Sequence, residues 1–186
     1  MITAFHGGFE LERSFRTGYV ASGKKGRNEF GTGLYCSVRY EACQKYAGGR
    51  RKLYALELDL NPADSSDVIY VDMDAIHVQF ISDLPRPAVK QWEAFVKRQR
   101  EAGRSAITLN SLNTFVNNYV TNSHRYMQAL NDYMVQRGAK YSVLDGHIIR
   151  VHDFSIIKSC QKPTSYEGSE AELKALNDTI VRLMME

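Results

Sequence analysis

Only three cysteines, Cys36, Cys43 and Cys160, occur in the 186 residues, and no two of them form a Cys-x-x-Cys pair. An odd number leaves one thiol over, which excludes a complete disulfide framework; the spacing excludes a structural zinc site, and such usage suits a reducing cytosol. No apolar run approaches about 18 residues, the length a membrane-spanning helix needs. The first residues also lack the charged-then-apolar pattern of a secretory leader, so neither a membrane span nor a signal peptide is expected. Paired acids are scarce as well. Asp72 and Asp74 stand two apart, but only His77 lies at ligand spacing from them, too small a donor set for a metal, and none is expected.

What is present is ordinary for a globular chain: 44% hydrophobic and 24% charged residues. The length fits one domain, residues 1–186, with an elaboration. The net charge of +3 is unevenly spread, with +4 over residues 1–60, −5 over 61–83, +6 over 84–141 and −2 over 142–186. Two basic blocks of this kind suit polyanions, although a solvated surface explains them as simply.

Periodicity divides the chain. Residues 2–6 are apolar and β-prone, and 52–60 alternate strictly, so both read as strands. Residues 9–17 read as a short helix, Tyr19 to Ser22 as extended, and 23–28 as a basic, glycine-broken loop carrying Lys24, Lys25 and Arg27. Val68–Val71 and Ile76–Ile81 read as further strands. Pro85 and Pro87 open a helical insertion over about 84–138. Its first helix runs from Ala88 to Ala102, and a longer pattern from Thr108 to Arg137 bears Asn110, Asn113, Asn117 and Asn118 on its second face. Residues 141–158 give a strand pair about Asp145-Gly146. Ser169-Glu-Ala-Glu172 is a capping box that opens an amphipathic helix with Leu173, Leu176, Ile180 and Leu183 inward.

The densest signal is Gly31-Thr-Gly-Leu-Tyr-Cys-Ser-Val-Arg-Tyr-Glu-Ala-Cys-Gln-Lys-Tyr46. Its glycines allow a tight turn, Leu34 and Tyr35 suit a strand, Ser37 suits an N-cap, and Tyr46 falls three turns into the helix that follows, before Gly48-Gly49. Two rings held at a strand end and on a returning helix can clamp a flat aromatic ligand. Upstream stands Phe5-His6-Gly7-Gly8. A strand ending in His-Gly, a G-x-G-L-Y strand and a Tyr eleven residues on resemble the NAD-binding core of the ADP-ribosyltransferases. The resemblance is to the poly-ADP-ribose-polymerase and diphtheria-toxin-like branch with its His-Tyr-Glu signature.

That resemblance implies an α+β fold in which two small antiparallel sheets form an NAD cleft. It implies that His6 holds a ribose hydroxyl of NAD, that the Gly7 backbone pairs with the nicotinamide amide, and that Tyr35 and Tyr46 stack on the ring. Cys43 stands where the family has a small hydroxyl residue touching the amide, and Gly8 replaces a common Ser. Arg27, with Lys24 and Lys25, sits where the family keeps a loop over the NAD phosphates. The glutamate of the signature is missing. Matching Val151-His-Asp153 to the family's strand end puts Ile148 at its position; a one-residue slip makes it His147, and Asp145 is a third candidate. Members with Ile there transfer one ADP-ribose and build no chains.

The reading is therefore a cytoplasmic mono-ADP-ribosyltransferase with NAD as co-substrate and no metal. It resembles bacterial toxin–antitoxin and phage-defence effectors, which implies an antitoxin or inhibitor protein as a partner, and no membrane. Its acceptor is a macromolecule, nucleic acid (RNA before DNA) over protein. Lys97, Arg98, Arg100 and Arg104 fall within two helical turns and suit a phosphate backbone, the asparagine face suits base edges, and Tyr126 suits stacking. The rivals are an NAD glycohydrolase and an inactive module binding ADP-ribose or nucleic acid.

Overall fold

The strict alternation of Lys52-Leu-Tyr-Ala-Leu-Glu-Leu58 puts Tyr54, Leu56 and Leu58 on one buried face of a strand. In the computed structural model, which describes residues 1–8, 11, 31–47, 52–120 and 123–185, this strand is β3 (Lys52–Leu58). It pairs over seven positions with β1 (Ile2–Gly8), His6 opposite Tyr54. On its other edge lies β8 (Ile157–Gln161). A second antiparallel set consists of β2 (Leu34–Ser37), β7 (Ile148–Val151) and β6 (Tyr141–Leu144), with Tyr35 opposite Arg150. The two sets join into one six-stranded sheet, β6-β7-β2-β1-β3-β8. They meet at a single pair, Phe5 with Ser37. The class is α+β. The two expected sheets are thus the halves of one sheet, and the separate second sheet is the small pair β4 (Tyr70–Asp72) and β5 (Ala106–Thr108).

One face of the large sheet carries Ala4, Leu34, Cys36, Tyr54, Leu56, Ile149 and Val151 into a core closed by Leu173 and Ile180. Those two belong to α6 (Glu170–Met185); Leu176 is only partly covered, and Leu183, expected inward, is exposed. The expected capping serine does something else: the Ser169 hydroxyl takes the Thr3 N–H, 2.9 Å, docking the helix onto β1.

A second core spans Met73 to Ala139 around Trp92 and Leu112. It is made by α2 (Met73–Gln79), α3 (Arg86–Glu101), α4 (Leu109–Tyr119) and α5 (His124–Val135). The helical layer therefore takes in residues before 84. The strand expected at 76–81 is the helix α2, because the Asp72 carboxylate accepts the N–H groups of Asp74 and Ala75 and caps it. Met73, Ile76 and Phe80 then fall on its buried side. The long pattern from Thr108 is two helices, capped at their starts by Thr108 and Ser123. The expected elements at 9–17 and 19–22, the basic loop with Lys24, Lys25 and Arg27, and Gly48-Gly49 lie outside the described residues, Leu11 apart. Among the described residues no helix is long and apolar enough to cross a membrane.

Candidate functional site

Where β1 and β2 stop being laddered, His6 meets the main chain of Tyr35, and Gly7 lies against Cys43 and Tyr46. Phe5 pairs with Ser37, and past that pair the two strands carry His6-Gly7-Gly8 and Tyr35 with no further register between them. The His6 Nδ1 lies 2.7 Å from the Tyr35 carbonyl oxygen. A carbonyl only accepts, so Nδ1 carries the proton and Nε2 keeps its lone pair. Burial holds the imidazole below its ordinary pKa, and the bond to Tyr35 opposes this in part. The ring is thus neutral near pH 7, with Nε2 as an acceptor. Gly8 borders that atom: a Cβ added there would stand 2.8 Å from Nε2. Gly8 itself adds no side chain on this side of the ring.

Alternation puts His6 with Tyr54 on one face of the sheet and Tyr35 with Arg150 and Ile148 on the other. Their meeting through a main-chain carbonyl is possible only at the edge where the ladder ends. The helix α1 (Tyr40–Gln44) is short, and its N-terminal neighbour Arg39 gives no side-chain cap. Ser37, expected to cap it, ends β2 and accepts the Arg39 N–H, 3.0 Å. Tyr46, expected three turns into the helix, follows its end and is 50% exposed. Helix and strand touch at Gly7, where any Cβ would come 2.1 Å from the Cys43 carbonyl oxygen and 3.2 Å from the Tyr46 Cβ. Only glycine fits.

Cys43 faces the strands. Its thiol donates to the Phe5 carbonyl oxygen, 3.0 Å, while the N–H groups of Gly7 and Ser37 face the sulfur. The thiol thus serves main-chain groups of both strands at their junction. Burial pushes its pKa up to about 11, so it is not a nucleophile near neutrality.

Tyr35 is held from behind. Its hydroxyl donates to the Gly31 carbonyl oxygen, 2.5 Å, and accepts from the Arg150 guanidinium. Arg150 is 1% exposed and also donates from Nε to Ser142 Oγ, 2.8 Å, and from a terminal nitrogen to Asn110 Oδ1. Asn110 in turn donates to Asp67, 2.6 Å. Beside it, Asn113 grips Thr32 by both main-chain groups, at 2.8 and 3.2 Å. Sequence reasoning missed Arg150, although one charge inside Ile148-Ile-Arg-Val151 was the available signal. It also misread the asparagines: Asn110 and Asn113 face inward onto Arg150 and Thr32, so they are not free for base edges.

The candidates for the third signature position separate by face. Ile148 pairs with Ser37 and shares the face of Phe5 and Tyr35. Asp145 and His147 lie in the turn between β6 and β7, Asp145 at φ 49° and exposed. The His147 Nδ1 lies 2.9 Å from the Asp145 carbonyl oxygen, and the His147 carbonyl accepts the Val38 N–H at 3.0 Å. Both residues thus serve the hairpin and the end of β2. His152 is buried, with Nδ1 3.0 Å from Asn131 Oδ1 and, among the described residues, no partner at Nε2, and its pKa is driven down to about 3 by burial and by Arg150.

On α3, Arg98 is exposed, and Arg100 is already paired with Asp74 at 2.6 Å. Lys97 and Arg100 border a shallow hollow of about 640 Å³ that also holds Asp74, Glu93 and Glu101, so its charge is mixed. This hollow belongs to the helical layer and includes none of the residues gathered at His6. Tyr126, expected to be exposed, is partly buried against the helical core. Among the described residues no group of three His, Cys, Asp or Glu side chains is placed to hold a metal.

Comparison with family models, curated proteins and solved structures returns no match to this chain.

Proposed function

We propose that the chain is an NAD-dependent mono-ADP-ribosyltransferase of the ADP-ribosyltransferase-like fold. The observation that carries the reading is the fixed tautomer of His6. Its Nδ1 proton is donated to the Tyr35 carbonyl oxygen, and the Nε2 lone pair lies on the side bordered by the side-chain-free Gly8. An acceptor nitrogen so held suits a ribose hydroxyl of NAD. Tyr35 and the half-exposed Tyr46 would hold the nicotinamide, close to the Gly7 main chain. The displacement breaks the bond between the ribose anomeric carbon and the nicotinamide nitrogen. The acceptor's lone pair forms the new bond, and its proton leaves to solvent or a base. The protein's contribution is positioning and charge stabilisation.

Ile148 on the Tyr35 face supports transfer of one unit without elongation, since it stands where the signature's carboxylate would activate a ribose hydroxyl. The acceptor in this reading is nucleic acid, RNA before DNA, supported by the +6 charge of residues 84–141. The setting is cytoplasmic, with an inhibitor protein as partner, as in toxin and phage-defence effectors.

Incubation with labelled NAD and a cell lysate tests this. Nicotinamide is released and label enters a product that nuclease destroys and protease does not. Label lost only to protease makes the acceptor a protein. Release without transfer makes the chain a glycohydrolase, and no release at all overturns the enzymatic reading.

A further inference from the structure

Arg150 stands at a junction that the catalytic reading leaves unexplained. Among the described residues it is the largest fully buried charged side chain, on a strand otherwise made of Ile148, Ile149 and Val151. Burying a guanidinium is costly unless its donors are met. Its donors are met by Ser142 of β6, Asn110 of α4 and the hydroxyl of Tyr35. Asp67, through Asn110, supplies the balancing negative charge. An aliphatic residue would fill such a strand position without these demands, so the arrangement has a geometric result rather than a packing one. It fixes the Tyr35 hydroxyl between the guanidinium and the Gly31 carbonyl. Gly31 itself, at φ 100°, passes so close that an added Cβ would meet Asn113 Oδ1 at 2.1 Å and Arg150 at 3.0 Å. The turn before Tyr35 is therefore clamped by two asparagines of α4 and one arginine of β7.

We infer that Arg150 is a positioning residue for Tyr35, and that through Arg150, Asn110 and Asn113 the helical insertion sets the geometry of the nicotinamide-stacking side of the site. The inference rests on the transferase reading for its catalytic consequence, but its structural content stands apart from it. The insertion is then a working part of the site and not merely a cover for the sheet.

The test uses the full chain with tyrosines labelled with carbon-13 at Cζ, the Tyr35 resonance being assigned by its loss in Tyr35→Phe. In Arg150→Lys, which keeps the charge but loses the planar fork, the Tyr35 resonance shifts, and those of Tyr70 and Tyr166 stay in place. The KM for NAD in nicotinamide release rises about tenfold, with kcat changed by less than threefold. A residue that merely stabilised the fold would lower the melting temperature without this split. Should Arg150→Lys fail to fold, Asn110→Ala removes one partner of the guanidinium and is expected to give the same pattern with a KM rise of about threefold. An unmoved Tyr35 resonance, or an unchanged KM in a folded variant, overturns the inference. If the wild-type chain neither binds NAD nor releases nicotinamide, the transferase reading fails, and the resonance alone decides whether Arg150 sets Tyr35.

Discussion

At Gly8 one added methyl would stand 2.8 Å from the His6 Nε2, so a single carbon tests the acceptor side of that ring. Gly8→Ala is expected to lower nicotinamide release about tenfold with the fold intact by circular dichroism, while His6→Ala and Tyr35→Ala abolish it. Wild-type turnover in a folded His6 or Tyr35 variant would show that the gathered residues are core and nothing more. Release should also fall on the acid side. The folded His6 stays neutral below its ordinary pKa, and once protonated it loses its acceptor. Cysteine chemistry is decided at this scale too. Cys36 and Cys43 are buried, with pKa values raised by desolvation, and Cys160 is only partly covered. Iodoacetamide at pH 8 should therefore modify Cys160 first, read by mass spectrometry of peptides. Faster alkylation of Cys43 would mean that its thiol is not held between β1 and β2 as described.

Elements dock where a glycine lets two backbones approach. At Gly168, just before α6, a Cβ would meet the Val38 carbonyl oxygen at 2.0 Å. A main-chain oxygen in a paired region cannot move aside cheaply, so Gly168→Ala is expected to cost about 2 kcal/mol in urea unfolding. A neutral result would mean that α6 shifts as a body. Around the same corner, Tyr40 packs edge-on against Phe5, with centroids 5.4 Å apart, and lies 4.4 Å from Tyr166. On α3 the ion pair between Arg100 and Asp74 is exposed and contributes little to stability. It does neutralise Arg100 toward a polyanion. Charge reversal at Arg98 should accordingly weaken transfer to nucleic acid more than reversal at Arg100, and both effects should shrink with added salt. Equal loss at the two positions, or none at either, would remove α3 from the acceptor surface.

At the scale of the whole fold, the described residues form two apolar cores joined by a polar seam. The sheet core is closed by α6, and the helical core surrounds Trp92. Between them run Arg150, Asn110, Asn113, Asn131 and His152. His152 makes that seam sensitive to pH. Folded, it stays neutral down to about pH 3; unfolded, it takes a proton near 6.5. Between those values the unfolded chain binds more protons, so stability is full above about 6.5 and falls as the pH drops toward 3. The slope from one such group is at most about 1.4 kcal/mol per pH unit. The melting temperature of His152→Gln should therefore fall less between pH 7 and 4 than that of the wild type. Parallel curves would show that His152 is not buried neutral.

Much of this was legible from local pattern. The alternation of residues 52–58 and the Asp145-Gly146 turn, at φ 49° and 66°, gave strands and hairpin directly, because side-chain period and turn chemistry are local properties. Spacing along the chain also brought His6 and Tyr35 to neighbouring strands, but it left open that their side chains lie on opposite faces of the sheet. Other features are set across the fold. The residues 76–81 look β-prone, yet the Asp72 cap and the helical core make them helix. The asparagines of α4 are polar in pattern but turn inward, because a buried guanidinium and the main chain of Thr32 need partners. The choice between His147 and Ile148 on the face of Tyr35 is a matter of register, and only pairing with β2 decides it: Ile148 stands opposite Ser37. Sequence alone determined the strands and turn that local pattern encodes, such as residues 52–58 and Asp145-Gly146. Tertiary structure decided which faces they share, because burial of a charge and the register of a sheet depend on residues far apart along the chain.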